Sequence, residues 1–516
     1  MFIRHAFILF RFLIKEPFLF RSRVCLLFFS LSTACFLTSC SGGSSGGSDG
    51  LPEFTNVIQI VGIGDVGLLG QTAAWGDFSG DGCQDLIVGN TDSGALNVFL
   101  FENNCDGTFS DVTIESGILD LRLRSASWAD FDNDGFLDLV VGTIRGGAPP
   151  ILYRNLGGGI FTDVSEEAGI TKEGGIVSHT IWADYDGDGL VDLFQANLSL
   201  SVSSFLYRNN GDGTFSEVSE ESGLGEFDLT NSAIWFDFND DGFPDLFLAN
   251  DGLNRFYLNN GDGTFTDITS ESGLGGDQDW DSVSACVGDF NNDGFLDLYV
   301  VNISSPRNAL YKNNGDGTFT DVTLETGTED VGDGRTCAWV DFDGDGRIDL
   351  FTTNHVNPSR LFRNLGDGEF TDVAPEVGLD SPIDVFSAPW GDYNNDGFMD
   401  VFLNGHIGEA LMDNGGTSNN SLIIELVGDG VFTNSSAIGT RVKITTSRGI
   451  QIREVSGGKG CCEQDMLPLH FGVGGENEVD IRVEWTSGAV CIFSGINVQG
   501  GRRFLVLEDE CDIIEF

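Results

Sequence analysis

The nine residues from Asp184 to Asp192, DYDGDGLVD, constrain this chain more than any other feature, because the same pattern returns at a nearly fixed interval. Its first acids are Asp77, Asp130, Asp184, Asp237, Asp289, Asp341 and Asp392, separated by 53, 54, 53, 52, 52 and 51 residues. Seven copies of one unit imply seven copies of one small structure. A period of about 50 residues is too long for most helical solenoids and fits a four-stranded propeller blade. The second copy shows the unit. SASWADF reads as an inner strand entering the acidic loop, DLVVGT as a second strand and ILYRN as a third; after a Gly-rich turn, FTDVS alternates apolar and polar residues as a fourth.

Within the third copy, carboxylates stand at positions 1, 3, 5 and 9 (Asp184, Asp186, Asp188, Asp192), the Leu190 carbonyl stands at 7, and Gly189 permits the bend. Oxygen-only ligation suits calcium far better than a transition metal. The spacing is similar to the first part of an EF-hand loop, but no glutamate follows at position 12, and LFQAN after Asp192 reads as a strand. The corresponding candidate ligands are Asp77, Ser79, Asp81 and Asp85; Asp130, Asp132, Asp134 and Asp138; Asp237, Asn239, Asp241 and Asp245; Asp289, Asn291, Asp293 and Asp297; Asp341, Asp343, Asp345 and Asp349; and Asp392, Asn394, Asp396 and Asp400. One such loop alone would equally be an ordinary Asp/Gly turn; repetition favours about seven calcium ions. In turns such as Asn209–Gly213 the Asp reads as a turn former first and a ligand second. The expected fold is all-β: a seven-bladed β-propeller over residues 54–414 with calcium-binding DxDxDGxxD loops, then a separate small β-rich domain over 415–516.

The ring is expected to close through Phe54–Val57, which reads as a fourth strand with no third before it, while the last copy lacks its own FTDV. Closure removes exposed sheet edges. Trp75, Trp128, Trp182, Trp235, Trp339 and Trp390, each two residues before a first acid, read as packing between blades, with Val287 in the fifth place. The formal charge of −54 repels nucleic acid and anionic lipid. The 42 Phe and 8 Trp argue for packed cores rather than an acidic disordered tail.

Residues 1–39 carry a basic segment and then an apolar run, Val24–Leu37, too short to span a bilayer, which reads as an export signal. Its end, Leu37-Thr38-Ser39-Cys40, resembles the lipobox of bacterial lipoproteins; an ordinary cut near Ala34 is the alternative. The resemblance implies lipidation at Cys40, a Gly/Ser-rich tether over 40–53, and membrane attachment through the lipid alone. Ser41 rather than Asp after the cysteine favours the outer membrane or cell surface of a Gram-negative-type bacterium. In an exported chain Cys83 and Cys105, in loops at one end of the first blade, should form a disulfide. Pairing of Cys286 with Cys337 stays open, as do the partners of Cys461, Cys462, Cys491 and Cys511.

Positive charge is scarce and placed at one end of the blades. The second-to-third and fourth-to-first connections collect Arg122, Arg124, Arg145, Lys172, Arg255, Arg307, Arg335 and Arg360, together with His179, His355 and His406. Guanidinium groups there suit bidentate binding of carboxylate or sulfate, hence an acidic polysaccharide or an acidic protein partner. The alternative is simple pairing with Asp120, Glu173, Asp281, Asp330 and Asp333 in the same loops.

Beyond residue 415 the period is lost. Ser436–Val442 (SAIGTRV), Arg453–Val455 (REV), His470–Gly474 (HFGVG) and Val483–Gly488 (VEWTSG) resemble the ASPIC/UnbV domain, and the repeats resemble FG-GAP or VCBS repeats. Together they resemble the family of cartilage acidic protein and its bacterial relatives. The resemblance implies secreted, calcium-binding, propeller-based interaction proteins; the repeat is shared with integrin α-subunit heads. Cys461-Cys462 departs from the family pattern, and His470 reads as structural. No GxSxG, HExxH or phosphate-cradling loop is present, and no catalytic residue is assigned. The expected function is a surface binding or adhesion module. A polysaccharide-acting enzyme using the propeller pore is the alternative, and would need titratable groups converging at the pore face.

Overall fold

The computed structural model describes residues 50–64, 70–90, 97–119, 122–144, 147–173, 175–225, 228–303, 307–380, 384–406, 408–460 and 462–516. Cys40, Arg145 and Cys461 lie outside the described residues.

Across the repeats, seven antiparallel sheets follow one another, one per copy of the acidic loop. In the third, Ile176–Ala183 pairs with Asp192–Leu198, that strand with Phe205–Asn209, and that one with Phe215–Glu217. The inner strand IVSHTIWA is buried nearly throughout, which is why it shows no apolar/polar alternation. One helical turn, Ser165–Ala168 in the second repeat, links a fourth strand to the next inner strand and carries no periodic signal. Asp163 Oδ1 accepts the Ser165 amide at 3.0 Å and its hydroxyl at 2.6 Å, and Gly169, with φ 81°, ends the turn in the left-handed conformation.

Phe54–Asn56 pairs with Gly408–Asn414 in the seventh sheet. The first sheet meets the seventh where Trp75 Nε1 donates to the Pro389 carbonyl at 3.0 Å. The tryptophans lie between neighbours: Trp128 stacks on Phe78 of the preceding repeat with centroids 5.7 Å apart, and a Cβ at Gly76 would come within 2.7 Å of that indole.

An Asn ending each third strand ties the sheets into a circuit. The side-chain amides of Asn103, Asn155, Asn209, Asn259, Asn313, Asn364 and Asn414 donate at 2.7–2.9 Å to the carbonyls of Tyr393, Phe78, Phe131, Tyr185, Phe238, Phe290 and Phe342. Each acceptor is the second residue of the preceding acidic loop, and Asn103 closes the circuit onto the seventh.

The C-terminal region forms two four-stranded sheets, 469–474, 420–427, 502–507 and 512–515 in one and 449–454, 441–446, 478–484 and 490–497 in the other. Their shared core, including Leu422, Ile424, Val442, Ile444, Ile481 and Phe504, continues into Phe131, Trp182 and Phe215 of the second and third repeats. The C-terminal sheets therefore pack directly on the repeats, and residues 52–516 make one compact unit.

A segment of this region fills the centre of the circuit. Glu463–Gln464 adds a parallel strand to Gly70–Gly76. The Gly457 carbonyl accepts the Trp182 amide at 3.1 Å. Gly460 takes the Ser232 hydroxyl, and Glu463 holds the Thr336 hydroxyl and the Ala388 amide. Gln464 accepts the Trp128 amide at 2.6 Å, and Asp465 accepts that of Trp390 at 2.6 Å. Inner strands from six of the seven sheets are thus bonded to one passing segment.

Candidate metal centres and the two faces of the ring

Each acidic loop is wound around its own carboxylates. Asp184 accepts the amides of Asp188 and Gly189, both at 3.0 Å, and Asp188 accepts that of Leu190 at 3.0 Å. Asp192 Oδ2 accepts the Tyr185 amide at 3.1 Å, while Oδ1 accepts the Asn209 amide at 2.8 Å. The position-nine acid makes this last bond in all seven repeats, at 2.7–2.8 Å. The third-strand Asn thus binds its own loop through its backbone and the neighbouring loop through its side chain.

The winding leaves carboxylates crowded and dry. In Asp130/Asp132/Asp138, Asp184/Asp186/Asp192 and Asp341/Asp343/Asp349, three carboxylate oxygens lie within 4.8 Å of one another. Burial, with neighbouring carboxylates adding to it, pushes Asp130 and Asp184 up to about 7 and Asp341 to about 8. At position nine burial is again the main cause; it raises Asp245 to about 9 and holds Asp85, Asp138, Asp192, Asp297, Asp349 and Asp400 well above the usual range. Asp132 Oδ1 and Asp186 Oδ1 are buried without a hydrogen-bond partner. Crowded, oxygen-only donors with unsatisfied atoms fit a hard divalent cation, which would relieve both burial and repulsion.

Cations of the chain already attend the loops. Arg154 reaches Asp132 at 2.9 Å, Lys312 reaches Asp293 at 3.2 Å, and Arg363 reaches Asp343 at 2.7 Å. The C-terminal sheets add more. Buried Arg441 donates to the Asp237 carbonyl at 2.8 Å and to Glu454 at 2.9 Å, and also pairs with Asp240. Half-buried Arg453 is attracted by Asp341 and Asp289, and Arg503 lies 3.7 Å from Asp392. Ser435 donates to Asp130. The C-terminal region is therefore seated on the acidic-loop face.

On the opposite face most of the arginines are paired. Arg255 meets Asp228 at 3.0 Å and Asp267 at 3.1 Å, and Arg307 meets Asp321 at 2.7 Å. Arg360 meets Asp330 at 3.3 Å and Asp372 at 2.8 Å, while Arg335 lies 3.9 Å from Asp333 and 4.5 Å from the Phe386 ring centroid. Arg122 is exposed, and half-buried Arg124 has an Nε without a hydrogen-bond partner among the described residues. His355 and His406 converge on Asp384. His179 is corrected: it is buried inside the third sheet and takes the Ala233 amide at 3.3 Å, and burial drives its imidazole down to about 3. Buried His470 is likewise held neutral, at about 3, by burial and by Arg453.

Residues 49–141, 198–248, 237–300, 289–352 and 341–403 match the FG-GAP-like repeat, together more than half of the chain, and 430–511 match the ASPIC and UnbV family. The chain belongs to the FG-GAP-like repeat family. This FG-GAP-like chain is 24% identical over 470 residues to cartilage acidic protein 1 of Homo sapiens, covering 85% of this chain and 62% of that protein. It is 37% identical over 123 residues to the Xenopus tropicalis protein of that name, 23% of this chain and 18% of the relative. It thus spans less than two thirds of the length of either. An Agrocybe aegerita lectin structure, described as recognising non-reducing terminal N-acetylglucosamine, aligns with a TM-score of 0.39 and 23% identity, over 61% of this chain and 82% of that one.

Among the described residues three disulfides join Cys83 to Cys105, Cys286 to Cys337 and Cys491 to Cys511, as in proteins folded in an oxidising, extracytoplasmic compartment. Among the described residues no helix is long and apolar enough to cross a membrane. The repeat-linking asparagines were missed by sequence reasoning although their signal is plain: FEN, YRN, YRN, YLN, YKN, FRN and MDN end the third strands.

Proposed function

We propose that this chain is an exported calcium-binding β-propeller of seven blades over residues 54–414, sealed on its calcium face by the ASPIC/UnbV-like region at 415–516, and that it acts as a binding module through the opposite face. The observation that supports this reading is the division of labour between the faces: the C-terminal sheets sit on the acidic loops and residues 457–460 and 462–465 fill the centre, so among the described residues the C-terminal region leaves the far face uncovered. Calcium at the seven loops would neutralise carboxylates that are otherwise buried together. The filled centre argues against an enzyme working through the pore. Cys40, as the lipidated first residue of the mature chain, would hold the module on a membrane through the 40–53 tether.

The ligand is an acidic polysaccharide or acidic protein loop engaged by cations that have no full partner among the described residues, Arg122 and Arg124 first. The test is an anionic glycan array probed in calcium with the native chain and with an Arg122→Ser/Arg124→Ser double variant of unchanged melting temperature. Binding lost in the variant supports the reading. Equal binding by both, or none by the native chain, rejects this face as the site.

A further inference from the structure

Where the sixth and seventh repeats meet, on the side away from the acidic loops, three side chains converge that no calcium loop uses. His355 follows the strand Asp349–Asn354, Asp384 precedes the inner strand Val385–Ser387, and His406 follows Asp400–Gly405. Their backbones are fixed: the His355 amide donates to the Asp333 carbonyl at 2.8 Å, and the His406 amide to that of Asp384 at 3.0 Å. Both imidazoles turn Nδ1 toward one carboxylate, His355 to Asp384 Oδ1 and His406 to Oδ2 at 3.3 Å. One ligating atom from each of the three lies within 4.8 Å of the others. Phe386 walls the cluster, with its centroid 4.2 Å from that of His406 and 5.9 Å from that of His355.

We propose that His355, Asp384 and His406 bind a divalent transition metal of the zinc class, stapling the sixth repeat to the seventh. Two imidazoles and a carboxylate form the borderline donor set that zinc and its neighbours take, whereas calcium takes oxygen alone. The spacing agrees. A tetrahedron with metal–ligand bonds of about 2.0 Å has edges of about 3.3 Å, the separation of His406 Nδ1 from Asp384. The rings are about one-third exposed, at 34% and 37%, so the remaining adjustment disturbs no core packing and a metal can enter from solvent. Three protein ligands leave the fourth position to water. The nearby Arg335 lies 3.9 Å from Asp333 and over the Phe386 face.

The test uses the tag-free full chain with calcium saturating, so that the acidic loops are occupied, titrated with Zn²⁺ in equilibrium dialysis and with Co²⁺ in visible absorption. One zinc per chain is expected, with tetrahedral Co²⁺ bands and a higher melting temperature. His355→Ala and His406→Ala should each weaken zinc binding by about tenfold or more and abolish the Co²⁺ bands. Should either alanine variant fail to fold, Asp384→Asn and His406→Gln keep the shape and should give the same losses. No zinc above the stoichiometry of the variants, or equal affinity in native and variant chains, overturns the assignment.

Discussion

Removing calcium should unfold this chain, and the carboxylate geometry sets the scale. In three of the loops, three carboxylate oxygens lie within 4.8 Å of each other. At an effective dielectric of about 20, two charges at that distance repel by about 3.5 kcal/mol, so three ionised groups accumulate about 10 kcal/mol per loop, offset in part where Arg154 meets Asp132 and Arg363 meets Asp343. The whole net stability of a domain is about 5–15 kcal/mol. A metal-free fold therefore favours proton uptake, and burial first, with neighbouring carboxylates adding to it, raises Asp130 and Asp184 to about 7. Seen from the ligand's side, seven sites each held at ten times their dissociation constant contribute about 1.4 kcal/mol apiece, roughly 10 kcal/mol in total. The assay is a thermal melt at neutral pH and low salt, with calcium and then with excess chelator. The Tm should fall by more than about 10 °C and recover when calcium is restored. A melt indifferent to the chelator would refute the reasoning, since buried acids would then be tolerated without a cation.

Replacing Asn259 with Ala removes side-chain bonds to the Tyr185 and Pro244 carbonyls and should lower stability by about 1–3 kcal/mol in urea denaturation; an unchanged midpoint would deny the stitch between repeats. His179, lowered from 6.5 to about 3 by burial, gives stability that is full above pH 6.5 and lost as pH falls toward 3, so His179→Gln should flatten the acid limb of the pH–stability curve, read by denaturation at pH 7 and pH 4. Peptide mapping of the unreduced chain should recover Cys83 with Cys105, Cys286 with Cys337 and Cys491 with Cys511; the Cys83→Ser/Cys105→Ser double variant should lose about 3 kcal/mol. For the proposed anchor, Cys40→Ser should abolish fatty-acid labelling and release the chain from membranes; membrane association equal to native would count against it.

The repeat count, the order of four strands per unit and the position of every acidic loop were legible in the sequence, because they depend on local periodicity and on turn chemistry that a nine-residue window contains. The same holds for Cys83 and Cys105, whose pairing follows from two loops at one end of one sheet. What only the tertiary structure decided involves partners far apart along the chain. Gln464 meets Trp128 and Glu463 meets Thr336 because a C-terminal segment enters the centre of the ring, and nothing local to either residue encodes the other. Arg441 and Arg453 carry the appearance of a motif internal to the C-terminal region, yet their charges are directed at acidic loops of the repeats. His179 reads as one histidine among several at a basic end, and a shift of a few residues along a buried strand places it in the core instead. Sequence fixes the spacing of groups along a strand; the neighbour each one meets is set by how the sheets close on one another, and that is a property of the folded ring alone.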